Sequence, residues 1–274
     1  RAMSDISVIG PLARSATDLH TSTQLLAGPD AIAARGYTLS LPELGSRSLQ
    51  DLRIGIWNSE AIAPVTKEVE DRVNLVADAL RDAGAQVDSE QRPALDVEHS
   101  HDVYLTLLHA TMASRQPDAE YASLLAYVND LDSADQSYKT KVFRAKVASF
   151  KTWAAANEAR HKLRWAWHEY FSQFDALIMP IMPTPAFEHD HRPLSERTIL
   201  VDNAERHYFD QVFYAGLTGV TFLPSTVIPT GLNQDGLPIG VQIVGPEFGD
   251  LVTIGIAQEL ERLGFDFTPP AEYC

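Results

Sequence analysis

Serine, histidine and cysteine are the side chains that most often attack a substrate or relay its protons. Their spacing in this chain is informative chiefly for what it lacks. There is no G-x-S-x-G stretch, no serine with a lysine three residues on, no Ser-Ser pair and no Gly-Gly pair. A nucleophilic serine usually needs a tight glycine turn to expose its hydroxyl and to aim backbone N–H groups at the developing oxyanion. The clustered histidines are His99-Ser100-His101 and His189-Asp190-His191. On a strand, alternate residues share a face, so an H-x-H pair could offer two ligands to one metal. Both pairs sit in polar, loop-like surroundings with no obvious third ligand, which favours structural or solvated histidines. Asp and Glu are abundant, and no pair can be singled out for glycoside chemistry without geometry. The single cysteine is Cys274, so neither an internal disulfide nor a cysteine-based zinc site is available.

The composition narrows the partners. The formal net charge is −15 over 274 residues, of which 45% are hydrophobic. Phosphate backbones and anionic membrane surfaces would repel such a chain, so neither nucleic acid nor a membrane is expected as a partner. The most apolar region, Val212 to Leu232, is broken by Pro224, Pro229 and three glycines, and reads as strand and turn, not as a membrane span. No basic stretch followed by an apolar run marks a secretory signal. With the lone cysteine, this leads us to expect a reducing, cytoplasmic setting.

Several elements must position whatever chemistry there is. Ser15 with Asp18 starts a helix that Gly28-Pro29 stops. "LRIGIW" (Leu52 to Trp57) is a strand, Thr66 caps a helix carrying Val69, Val73, Val76 and Leu80 up to Gly84, and "AQVDS" is a second strand. That β-α-β unit calls for parallel strands, and its first turn lacks the glycine fingerprint of a dinucleotide site. Helices are expected over Asp96–Ala113 and Tyr121–Val128, then a long helical region from Ser133 to Phe174 with Phe143, Val147, Phe150 and Ala154 on its apolar face. Lys139, Lys141, Arg144, Lys146 and Lys151 crowd its start, as an anion-binding stripe or a solvated face. Trp153, Trp165, Trp167, Tyr170 and Phe171 could line a pocket or pack core and rim. "DALIMPIMPTPAF" is a buried strand ending near Met179, since proline cannot donate to a central ladder. Arg192 to Asn203 reads as loop and Glu205 to Leu217 as helix. "FLPSTVIPTG" and "IGVQIVG" are strands joined through a turn at Asp235-Gly236. Asp250 caps a last helix, Leu251 to Leu263. Interspersed helices and apolar strands of this kind imply an α/β fold, a mixed and mainly parallel twisted sheet with helices on both faces.

Four stretches, in order, resemble the amidase-signature enzymes. They are "IGPLARSATDLHTSTQLLAGPD", "DALIMPIMPTPAF", "FYAGLTGVTFLPSTVIPTG" and "GLPIGVQIVGPEFGD". The second resembles that family's D-x-L-h-x-P-x-x-P-T-P strand, where h is apolar. The third resembles its F-N-L-(S/T)-G-x-P-(A/S)-(I/L)-(S/T)-(V/I)-P-x-G segment, with Tyr214-Ala215 where Asn-Leu is frequent. The resemblance covers essentially the whole chain. It implies an α/β/α sandwich and hydrolysis of a carboxamide through an acyl-serine, with a lysine acting as base through a second serine held by a cis peptide. No cofactor and no metal are expected.

The resemblance also places the glycine- and serine-rich catalytic segment before the match for Asp5–Gly28, so no catalytic residue can be carried onto this sequence. Residues 1–274 are then expected to be the C-terminal part of a single amidase domain, lacking its catalytic N-terminal portion and inactive alone. A fold incomplete at its N-terminus should leave an apolar patch beside "IGVQIVG", or need a companion chain over it. By position, the resemblance points to Met182, Pro183, Thr184, Phe213 and Tyr214 for lining the pocket of a small-molecule amide. Two alternatives stay open: a scaffold or binding subunit that lost its site, and a glutamine-dependent amidotransferase subunit. Assembly into a homo-oligomer is also open.

Overall fold

The computed structural model describes residues 5–270 of the chain; Cys274 lies outside them. The described residues build a five-stranded sheet in the order β2-β1-β3-β7-β6, from β1 (Arg53–Ile56), β2 (Gln86–Asp88), β3 (Ala176–Pro180), β6 (Ser225–Leu232) and β7 (Pro238–Val244). β1 runs parallel to β2 and β3, while β7 is antiparallel to β3 and to β6. Four strands therefore point one way and β7 the other, giving a mixed, mainly parallel sheet.

Period-two alternation assigns the faces. Ile54, Ile56, Ala176, Ile178, Val241 and Ile243 pack with α2 (Lys67–Asp82), α8 (Asp250–Arg262) and Ala16 of α1 (Ala16–Leu26). Leu177, Met179 and Val244 face the other way, onto Trp167 and Tyr170 of α6 (Phe150–Phe171) and Phe213, Tyr214 and Leu217 of α7 (Phe213–Gly219). Helices on both faces make an α/β/α arrangement. α3 (Val97–Ala113) adds a third cluster against α6, through Val103, Tyr104, Leu107 and Leu163. Gln242, fully buried, ties three strands together. Its amide donates to the Pro180 carbonyl (2.8 Å) and its oxygen accepts from the Ser225 hydroxyl (2.6 Å). Pro180 can only accept, which suits it to the end of β3.

Several local expectations give way to the structure. The helical region is not continuous: α4 (Asp118–Asn129) and α5 (Tyr138–Lys146) precede α6, and α5 and α6 each start afresh on a serine cap, Ser137 and Ser149. Phe150 is exposed, and the buried face of α6 runs through Arg160, Leu163, Trp167 and Tyr170. Residues 192–203 are not all loop, and residues 205–207 are not helix. β4 (Thr198–Val201) and β5 (Ala204–His207) form a hairpin turning at Asp202, whose φ of 51° a tight two-residue turn needs. Asp250 is the first residue of α8 and makes no cap bond; Gly249 occupies the cap position. Thr66 holds the cap position of α2 without a side-chain cap bond. β7 itself is interior to the sheet, and its neighbour β6 is the edge strand that leaves Val227 and Leu232 exposed.

Candidate functional site

α3 begins at Asp96, whose carboxylate accepts from the His99 N–H at 3.0 Å. Helical spacing then puts His101 and Tyr104 on one side. His101 and His99, two apart on a helix, cannot face one ligand together, and His99 stays exposed. The His101 ring lies 5.3 Å from Phe213 and 6.3 Å from Tyr104. Opposite stands Tyr138, set by the Ser137 cap of α5 and by Asp135, which accepts from the Thr140 hydroxyl at 2.6 Å. The Tyr138 ring is 4.1 Å from His207 and stacks at 6.0 Å on Phe209. His207 closes β5, and its Nδ1 accepts from the Phe209 N–H at 3.2 Å. That bond assigns the proton of the neutral ring to Nε2. Asp210 accepts from Arg206 Nε at 2.9 Å.

Burial shifts these groups in one sense, toward neutrality. It holds His101 below the ordinary imidazole range, with Asp102 and Asp210 pulling the other way and Lys141 adding to the depression. It lowers His207, opposed by Asp210. It raises Tyr104, and it raises Tyr138 with help from Tyr104 and Asp210. At neutral pH the cluster is thus an uncharged aromatic wall of imidazoles and phenols beside two carboxylates, Asp102 paired with Lys141 and Asp210 paired with Arg206. Such a wall suits holding a neutral planar group through ring contacts and hydrogen bonds. None of these groups is a strong nucleophile near neutrality.

Of the five residues expected to line a pocket, Phe213 belongs to this cluster. Tyr214 is fully buried, its hydroxyl accepting from the Glu60 N–H (3.0 Å) and donating to the Ala63 carbonyl (2.8 Å). The Pro183 carbonyl accepts from the Thr66 N–H (2.8 Å), fastening the loop after β3 to the start of α2. Thr184 is buried and donates to the Pro185 carbonyl, while Met182 is exposed. His189 and His191 are exposed with rings 6.2 Å apart, and no group of three or more possible metal ligands occurs among the described residues. Sequence reasoning missed Tyr104, Tyr138, His207 and Asp210. They come from separate elements, and only the i, i+3 spacing of His101 and Tyr104 was a signal.

A second feature lies along α6. Among the described residues other than glycine, Ile6, Asp202, Phe222 and Phe248 have positive φ (62°, 51°, 64° and 66°). Bulky side chains rarely adopt this conformation, and such strain gathers at functional places. Three of the four flank α6. Asp5, beside Ile6, pairs with the buried Arg160 at 2.6 Å; Arg160 lies 4.8 Å over the Phe222 ring; and Glu247, beside Phe248, pairs with Arg164. Counted back from Gly231, Pro229 and Pro224, the Asn-Leu of the amidase-signature pattern falls on Gly219-Val220, which corrects the placement at Tyr214-Ala215, and its glycine falls on Phe222. The backbone there keeps the φ that a glycine would take freely.

Comparison with known proteins places this architecture. The family model described as Amidase matches residues 1–253. The chain belongs to the amidase family. Among similar curated proteins, a glutamyl-tRNA(Gln) amidotransferase subunit of Roseiflexus sp. (strain RS-1) is 26% identical over 284 residues, covering 95% of this chain and 55% of the relative. Indoleacetamide hydrolase of Bradyrhizobium japonicum is 24% identical over 259 residues, covering 94% and 52%. A bacterial aryl acylamidase of the amidase-signature family superposes with a TM-score of 0.68 at 21% identity, over 92% of this chain and 52% of that one, which speaks to the fold alone. The chain spans about half the length of the curated relatives it matches. None of the described helices is long and apolar enough to cross a membrane.

Proposed function

We propose that this chain is the C-terminal part of an enzyme that hydrolyses a carboxamide to a carboxylate plus ammonia or an amine through an acyl-serine. The family match over residues 1–253 carries the reading. The catalytic serines and lysine lie, on this account, in the half of the relatives' length that the chain does not span, and the chain alone is inactive. Val8, Ile9 and Leu12, at 87%, 96% and 100% exposure, support this: three apolar side chains in one short segment have nothing packed on them. The substrate is a small-molecule amide, and no cofactor is needed. Phe213, with the neutral wall of His101, Tyr138 and His207, is the best-supported part of its pocket. Met182, Pro183, Thr184 and Tyr214 are its further lining candidates, with Pro183 and Tyr214 bonded to residues 60–66. A cytoplasmic location belongs to the same reading.

A second reading is favoured by the amidotransferase relatives. There water still cleaves the acyl-serine, but the ammonia released passes to an activated acceptor instead of escaping to solvent, and partner subunits are required. The test is ammonia release from a panel of carboxamides by the chain joined to whatever its reading frame encodes upstream of Arg1. Turnover that depends on an upstream serine is expected. A frame that encodes no such segment would overturn the reading. Ammonia release only when a partner protein or an acceptor is present would favour the amidotransferase.

A further inference from the structure

A cavity of about 290 Å³ opens where the second half of α6 meets the turn between β7 and α8. Trp165, Phe171, Leu223 and Phe248 form its walls, and Arg164 and Glu247 one side. The two charges are closed on each other. Arg164 Nε and Nη2 donate to the two oxygens of Glu247, the Nη2 bond at 3.0 Å. That bidentate pairing leaves the third guanidinium nitrogen, Nη1, outside the pair and the cavity without net charge. Trp165 is 63% exposed and stands edge-on to His168 at 5.3 Å.

The turn is built at some cost. Its Gly249 N–H donates to the Pro246 carbonyl at 2.8 Å, and a Cβ on Gly249 would strike that same oxygen. Phe248 holds a φ of 66°, a left-handed conformation that strains any residue with a side chain. Burial does not offset the strain, because the Phe248 ring is 54% exposed at the cavity mouth. Two large aromatic side chains that line the cavity, Trp165 and Phe248, are thus both open to solvent.

We propose that this cavity binds an uncharged, single-ring aromatic molecule bearing a carbonyl acceptor. The ring lies between Trp165 and Phe248, and the carbonyl takes a hydrogen bond from Arg164 Nη1. The volume is at the small end for ligand pockets, which suits one ring. A carboxylate would meet Glu247 and the −15 field of the chain, and a cation would meet Arg164. The proposal does not rest on the reading of the family reaction.

The test is titration of the 274-residue chain with benzamide, benzoate and benzylamine at pH 7, followed by ligand-observed NMR. Benzamide should saturate with a Kd on the order of 1 mM, within the efficiency expected of so small a ligand. Benzoate and benzylammonium should bind at least about fivefold more weakly. Trp165→Ala, at a side chain too exposed to hold the fold, should weaken benzamide at least about tenfold. Phe150→Ala, as exposed and at the far end of the same helix, should leave it unchanged. Absence of saturation by benzamide to about 20 mM, benzoate binding tightest, or equal affinity in Trp165→Ala would each overturn the proposal.

Discussion

A Cβ on Gly55 would stand 1.8 Å from the hydroxyl oxygen of Tyr170, so this strand position is glycine because α6 presses a phenol onto it. That oxygen is buried and has no hydrogen-bond partner among the described residues. Removing an unpaired buried hydroxyl is neutral or favourable, so Tyr170→Phe should leave stability unchanged or raise it by about 1 kcal/mol. Gly55→Ala should lose about 1–3 kcal/mol to overpacking and regain part of that in the Tyr170→Phe background. Urea denaturation of the three variants measures both, and a clear loss in Tyr170→Phe alone would show that the hydroxyl has a partner. His109 gives a pH dependence. Burial, helped by Lys146, lowers it from 6.5 to about 4, and both ring nitrogens lack partners among the described residues. It is folded as the neutral ring. Its contribution is intact above about pH 6.5 and is lost as pH falls toward about 4, by about 3 kcal/mol in total. Urea midpoints between pH 7.5 and 4 should fall accordingly, and less steeply in His109→Leu. At this scale the sequence was least legible. His101 was visible as half of an H-x-H pair, but its ring neighbour Phe213 is a residue that only the fold brings to it.

Elements read better where a local signal coincides with a tertiary need. "LRIGIW" and the Val69-Val73-Val76-Leu80 face combine a period with burial, the exposed Asp235-Gly236 turn joins two paired strands, and each is found where expected. The β4–β5 hairpin fails that condition. Ile199 and Val201 are buried alternately, but the return strand Ala-Glu-Arg-His has no apolar alternation, and the turn is Asp-Asn without glycine. The break between α5 and α6 has the same origin: serine caps outweigh a tolerable helical period. Ser149 accepts from the Thr152 N–H at 3.1 Å. Ser149→Ala should therefore cost about 1 kcal/mol, read as a lowered urea midpoint, and Ser149→Asp should restore it. Equal stability of the parent chain and the Ser149→Ala variant would mean that tertiary packing alone sets the start of α6.

For the whole molecule, the α/β/α layering follows from residues inside the chain, whereas the chemistry does not. The sheet closes two apolar clusters of its own, yet its edge strand β6 leaves Val227 and Leu232 open and the segment before α1 leaves Val8, Ile9 and Leu12 open. Surfaces of this kind fit a chain that spans about half the length of its relatives. The central claim is that this chain supplies scaffold and pocket wall while the nucleophile lies in another segment. The most direct measurement is ammonia release from a panel of aryl and alkyl carboxamides by the purified 274-residue chain, run beside labelling with a serine-directed fluorophosphonate. The account predicts neither turnover nor labelling; amide hydrolysis that disappears on substituting one of the chain's own serines would contradict it.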